Sequence, residues 1–356
     1  MGSMNSILFE QIRRLILRWY DQNKRALPWR KTRDPYAIWI SETMLQQTQV
    51  QTVIPYYRRF LKLFPTLRAL DRAPADRVMA LWSGLGYYRR AENIKRAARL
   101  MMTKHKGAMP REFGALRALP GLGDYTAGAV ASIAFNQAVP ALDGNARRVL
   151  QRVFVARNRR SLNALASDLI SLSRPGDFNQ ALMDLGSAVC TPRDPACGAC
   201  PCRPLCRARR SGRYETEKPR PQRSAAITWP LGVIAHQRNV LLRRRAQHGL
   251  LAGLWEVPGG KQESDETARQ TLARQFASSR ALAARMKLVG EARHSITRYK
   301  IRAPIFFTSA ASRIVPGAGE WRWVPLSSVA KYPLSSLSIK ALRFVASRLR
   351  VPGAKR

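Results

Sequence analysis

Acidic residues are scarce in this 356-residue chain: 22 Asp and Glu stand against 62 Lys and Arg, a formal net charge of +40. The imbalance runs throughout, with 39 basic and 16 acidic residues up to position 225 and 23 and 6 beyond it. A neutral enzyme with one cationic tail is thereby excluded. A polyanion that touches both halves is the natural partner, and nucleic acid fits best. Surface charge that is merely solvated is the bland alternative. Cysteine is sparse too, at five residues. A chain of this length needs no disulfide staples, and no signal peptide is evident, so a disulfide framework is disfavoured. No apolar run approaches bilayer length, so no membrane span is expected. Met1–Ser3 read as a cloning remnant.

Period-two alternation is also missing between Asp34 and Val189. What is there instead is helical. Leu8, Ile12, Leu15, Ile16 and Trp19 recur at helical spacing, and further helical patterns follow, broken at Pro28, Pro35, Pro65, Pro74, Pro110 and Pro120. The reading is a mainly α N-terminal domain over 5–206, a charged linker over 207–225 and an α+β domain over 226–350. In the last, Leu231/Val233/Ala235 and Val240/Leu242 suggest a hairpin around Gln237–Asn239. Strands are expected at 253–257, 301–307 and 321–324, and helices at 266–284 and 336–349.

Four of the cysteines, Cys190, Cys197, Cys200 and Cys206, stand at intervals of six, two and five. Thiolates bind soft metals, and four of them this close can enclose an iron–sulfur cube. A structural zinc site usually shows two C-x2-C knuckles; here there is one, so the spacing favours a cluster over zinc. Cys202 falls outside the pattern.

Three stretches of the helical domain can carry chemistry. In SETMLQQTQV (41–50), Glu42 is the one carboxylate in an uncharged, mostly apolar helical pattern. Burial there raises its pKa and suits a general acid; a capping or solvated glutamate is the alternative. LPGLGDYTAGA (119–129) reads as a helix–hairpin–helix. Its turn at Gly121 and Gly123 offers backbone N–H groups to a phosphate, with Asp124 as expected N-cap; a plain helix-to-helix turn is the alternative. In VPALDGNARRVLQR (139–152), Asp143 opens a helix whose N–H groups favour its ionised form, or is an ordinary cap. A neutral acid paired with an ionised carboxylate is what glycosidic cleavage needs.

The hairpin, the Asp143 stretch and the cysteine loop, in that order, resemble the endonuclease III superfamily of DNA glycosylases. LPWR (27–30), SETMLQQTQVQTVIPYY (41–57), WSGLGYY (82–88) and FNQALMDLG (178–186) resemble its adenine DNA glycosylase (MutY) branch. The resemblance covers nearly all of residues 7–350. It implies base excision repair: hydrolysis of the bond to adenine mispaired with 8-oxoguanine or guanine in double-stranded DNA. It further implies a [4Fe–4S] cluster on Cys190, Cys197, Cys200 and Cys206, a monomer, and a cytoplasmic, nucleoid-associated location if the source is bacterial.

By the same resemblance, Glu42 protonates the base and then activates water, and Asp143 stabilises the sugar cation. Tyr125 and Asn145 position them. Arg25, Trp29, Arg30, Leu45, Val50 and Gln180 form the adenine pocket that receives the flipped base. Gln47 and Tyr87 wedge into the duplex. The lyase branch carries Lys at position 125; a phenol forms no imine, so a monofunctional glycosylase is expected. A glycosylase-lyase and a non-catalytic iron–sulfur DNA binder are the alternatives.

The second domain resembles a Nudix hydrolase with an eroded box. Gly260, Glu266 and Arg274 keep the frame, but Gln275, Ser278 and Ser279 replace its later carboxylates, so Mg2+ chemistry is not expected. The loop reading 8-oxoguanine commonly has Phe-Ser-His after its His-Thr or His-Ser pair. Here His294-Ser295 is followed by Ile296-Thr297-Arg298, and Arg298 suggests phosphate contact in place of an imidazole.

Overall fold

The computed structural model describes residues 2–156, 158–212, 214, 224–276, 279–296, 298–313 and 319–346. Two compact units emerge, one of residues 1–73 and 92–219, the other of residues 74–91 and 220–356. The second unit thus takes in Pro74–Ala91, which precede the 207–225 stretch by more than a hundred residues.

The first unit contains α1 (Gly2–Asn23), a 3-10 turn (Pro28–Lys31), α2 (Pro35–Leu45), α3 (Val50–Leu63) and α4 (Leu67–Arg72). After α5 (Ala75–Trp82) of the other unit come α6 (Arg89–Lys104), which belongs to the first unit from Glu92 onward, α7 (Phe113–Arg117), α8 (Asp124–Phe135) and α9 (Gly144–Phe154). α10 (Arg159–Leu169), α11 (Pro175–Ala188) and α12 (Arg207–Ser211) complete it. No described residue of 2–212 is in a strand. The spacing seen in α1 does its expected work: Ile12, Ile16 and Tyr20 join Val149 and Leu150 of α9 and Phe178, Leu182 and Leu185 of α11 in one buried core. Each such side chain contributes roughly 1.5–3 kcal/mol by leaving water. The expected linker begins as helix α12; residues 213 and 215–223 lie outside the described ones.

In the second unit β2 (Leu231–His236) and β3 (Asn239–Arg244) form the expected hairpin, Ala235 opposite Val240. β1 (Ala225–Thr228), β4 (Trp255–Glu256), β5 (Lys287–Ile296), β6 (Tyr299–Ser309) and β7 (Trp321–Pro325) complete a seven-stranded mixed sheet among the described residues. β6 runs parallel to β1 and β2 and antiparallel to β5. Successive residues of β2 and β3 face opposite cores. Val233, Val240 and Leu242 pack with Leu337 and Ala341 of α15 (Ser336–Ala346); Ile234 and Leu241 pack with Leu272, Phe276 and Met286. A sheet covered on both sides explains why Ile234 and Leu241, which fall between the alternating residues read from the sequence, are apolar as well.

One expected helix is two. Residues 266–284 split into α13 (Ala268–Gln275) and α14 (Arg280–Arg285). α13 starts on a Thr267–Gln270 capping box, and Phe276, wholly buried, leaves helical geometry at its end.

Candidate active site

α2 is buried almost all round, every residue from Tyr36 to Met44 being buried, so Glu42 is carried into the core with 4% of its surface exposed. Asp34 caps this helix by accepting from the Tyr36 N–H at 3.0 Å. From α8, the Tyr125 hydroxyl donates to Glu42 Oε2 at 2.5 Å. Burial pushes the Glu42 carboxyl up to about 7. The Tyr125 hydrogen bond and the Arg30 charge pull it down, and the negative charge of Asp143 adds to the rise. Burial likewise sends the Tyr125 phenol well up.

Asp143 is the N-cap of α9: Oδ1 accepts from the Ala146 N–H at 2.6 Å and Oδ2 from Asn145 Nδ2 at 3.0 Å. The residue expected as either a cap or a functional carboxylate is thus a cap in the structure, and it also borders the same region as Glu42. Burial raises its pKa, against the fall that a helix start alone would give, while the Ala146 and Asn145 donors and Arg148 oppose that rise. Its charged form is held by N–H donors of Ala146 and Asn145, whereas the Glu42 carboxylate accepts from the Tyr125 hydroxyl. That difference separates the two carboxyls chemically. Gly186 lets α11 approach this turn, since a Cβ there would meet the Asn145 backbone oxygen at 2.7 Å.

The chain between α7 and α8 turns at Gly121, with φ of +82°. Gly123, not Asp124, is the N-cap of α8. Asp124 is the first helical residue and pairs with Arg117 Nε at 2.6 Å.

Glu42, Tyr125, Asp143, Asn145, Gly121 and Gly123 line one cavity of about 1460 Å3, with Arg25, Trp29, Arg30, Leu45, Val50, Gln180 and Gln47. Every catalytic and base-pocket residue expected from the sequence thus borders the same space. Tyr87 belongs to the other unit; it is half exposed, at φ +51°, with the Arg90 guanidinium 5.3 Å from its ring centre.

Several residues at the site bear no signature in the sequence. Asn179 accepts from Ala141 N and donates to Ser132 Oγ and Val139 O, clamping the run that leads to Asp143. Asp184 binds Arg25 and Arg30. Arg148 donates to Cys190 O, Gly186 O and Asn145 Oδ1. Only the placing of an Asp in the apolar pattern of FNQALMDLG could have drawn attention to Asp184.

Cys190, Cys197, Cys200 and Cys206 line a separate small cavity with Arg152, whose Nη1 lies 3.5 Å from Cys190 Sγ. Cys202 is wholly buried and does not line it.

In the second unit, Ile296 pairs with Tyr299 at the closed end of the β5–β6 hairpin and His294 with Ile301. Burial and Lys340 lower the His294 pKa. Arg298 stacks on Tyr299 at 5.2 Å and donates to its hydroxyl at 3.1 Å. Thr297 and Ser278 lie outside the described residues. Where the Nudix frame has a carboxylate, Gln275 Oε1 accepts from Arg243 at 2.7 Å, and Glu266 is held by Arg274 at 2.6 Å.

The chain has relatives among known proteins. An adenine DNA glycosylase of Rattus norvegicus is 35% identical over 418 aligned residues, covering 97% of this chain and 80% of its own. The chain belongs to the adenine DNA glycosylase family. The Homo sapiens adenine DNA glycosylase is also 35% identical, over 92% of this chain and 72% of its own length. Residues 40–172 match the HhH-GPD superfamily base excision DNA repair proteins, and residues 231–343 match the NUDIX domain. The solved structure of a thermostable thymine-DNA glycosylase is 31% identical with a TM-score of 0.55, covering 58% of this chain and 99% of that one. The protein is a DNA-binding base excision repair enzyme, an adenine DNA glycosylase that hydrolyses an N-glycosidic bond.

Proposed function

We propose that this glycosylase removes adenine mispaired with 8-oxoguanine or guanine, as a monofunctional enzyme acting as a monomer. One observation carries the catalytic reading: Glu42, poised near neutral pH, is hydrogen-bonded to Tyr125 and coupled to the charge of Asp143 beside one cavity. Glu42 donates its proton to a ring nitrogen of adenine as the C1′–N9 bond breaks, so the bonding electrons leave on a neutral base. Asp143 stabilises the cationic sugar, and water then attacks C1′ and returns a proton to Glu42, with retention of configuration. Tyr125 and Asn145 hold the two carboxyls. Because Tyr125 carries no amine, the sugar is not captured as an imine and the strand is not cut.

Arg25, Trp29, Arg30, Leu45, Val50 and Gln180 receive the flipped base, Gln47 and Tyr87 fill the duplex behind it, and the turn at Gly121 and Gly123 holds a phosphate. The four thiols fit a [4Fe–4S] cluster. They share one cavity, yet among the described residues no three His, Cys, Asp or Glu side chains converge as a single ion's ligands do. When bound, the cluster ties the loop from Cys190 to Cys206 together through thiolate bonds. His294, Ser295, Ile296, Thr297 and Arg298 read the opposite base.

Duplexes bearing A:8-oxoguanine and A:guanine, assayed with and without alkali, test this. Strand breaks only after alkali, faster for 8-oxoguanine, are expected. Direct breaks would mean a lyase, and no product would mean a binding protein.

A further inference from the structure

We propose that Asp184 is a positioning residue that fixes Arg25 and Arg30 at the wall of the base cavity and balances their charge against Glu42. The inference rests on the reading of Glu42 as the general acid.

Asp184 sits on α11 with 1% of its surface exposed. Its Oδ1 accepts from Arg25 Nε at 2.6 Å and its Oδ2 from Arg30 Nη1 at 2.5 Å. Arg30 Nη1 is shared with the Arg25 carbonyl at 3.3 Å, so the two arginines and the carboxylate form one unit. Both arginines line the cavity, as do Met183 and Ser187 on either side of Asp184, but Asp184 itself does not. It therefore acts through the arginines. A buried carboxylate is tolerated where cations satisfy both oxygens, and here each oxygen has its own guanidinium. Such a clamp removes the rotamer freedom of two long side chains before any base arrives.

The second effect is electrostatic. Tyr125 from α8, Asp143 from the start of α9 and Arg30 from the 3-10 turn act on the Glu42 carboxyl. Arg30 favours the ionised carboxylate, which has no proton to give. Asp184, bonded to Arg30, offsets that pull. The trio carries a net charge of one; without Asp184 it would carry two, and without Arg25 none. The two losses must therefore move Glu42 in opposite directions.

The test is the pH dependence of single-turnover excision by the full-length protein on an A:8-oxoguanine duplex, corrected for the active fraction. The parent rate should fall as pH rises through about 7, as Glu42 loses its proton. Asp184→Asn should move that midpoint to lower pH, and the loosened arginines should reduce the optimal rate by about 10²-fold. Arg25→Met, at a side chain 37% exposed, should move the midpoint to higher pH, and it carries the test if the Asn variant does not fold. A residue that merely supported the fold would change the active fraction and leave the midpoint in place. A parent midpoint that neither substitution moves overturns the role of Asp184. A parent with no such fall overturns the assignment of Glu42, and the inference with it.

Discussion

Arg148 Nη2 donates to Asn145 Oδ1 at 2.7 Å, within one turn of α9. Asn145 Nδ2 in turn holds Asp143 Oδ2 at 3.0 Å, while Arg148 Nε donates to Cys190 O at 2.7 Å. One guanidinium thus joins Cys190, the first of the four spaced cysteines, to the Asn145 side chain that holds Asp143. Replacing Arg148 with Met strands three carbonyl-type acceptors, each worth ~1–3 kcal/mol when left unpaired. Urea unfolding should show a loss of at least about 2 kcal/mol, and excision should drop at least ~10-fold even in molecules retaining full iron. Lys should not rescue, because it lacks the fork. Normal excision by the Met variant would show that the link is idle.

Tyr125→Phe removes the hydroxyl that bonds Glu42 Oε2. That bond favours the ionised carboxylate, so its loss should raise the pKa beyond about 7 and carry the fall in activity to higher pH. The pH profile of single-turnover excision decides it; a shift to lower pH would contradict the account.

Glu42 also costs the fold something. A carboxyl whose folded pKa lies above its ordinary 4.5 contributes stability that is complete below that pH and is lost as pH rises to about 7. Glu42→Gln escapes the loss. The variant should gain on the parent by up to about 3 kcal/mol at pH 8, and the gap should close toward pH 4. Denaturant unfolding at both pH values would show it; a gap independent of pH would mean that Glu42 is not buried in its charged form.

Much of this site was legible because its chemistry contradicts its surroundings. Glu42 interrupts an apolar helix, Asp143 ends an apolar run, and four thiols keep a ligand spacing. Arg148, Asn179 and Asp184 were not legible. Each is one polar residue on an amphipathic helix, and only packing decides whether it meets water or a partner. The same holds for the second unit. β2 and β3 are buried on both faces and announce themselves, whereas β5, KLVGEARHSI, is mostly exposed or half-buried and carries charges where alternation would show. The 266–284 stretch kept helical character across Phe276, where a buried ring ends the helix.

The five cysteines divide cleanly in the structure, Cys202 lying outside the cavity that the other four share. Cys202→Ser should keep the brown colour and four iron atoms per chain expected of a [4Fe–4S] protein. Serine at 190, 197, 200 or 206 should lose iron. Stoichiometric zinc without visible absorbance in the parent would refute the cluster.

The central claim is that Glu42 and Asp143 perform the chemistry while phosphate contacts hold the DNA. The most direct measurement is single-turnover excision by Glu42→Gln and Asp143→Asn, with duplex affinity measured on the same samples. General acid catalysis alone is typically worth 10²–10⁴ in rate, and affinity comes mainly from backbone contacts. Excision should fall by at least about 10²-fold in each variant, with affinity for the A:8-oxoguanine duplex nearly unchanged. Near-parental excision by either would contradict the account.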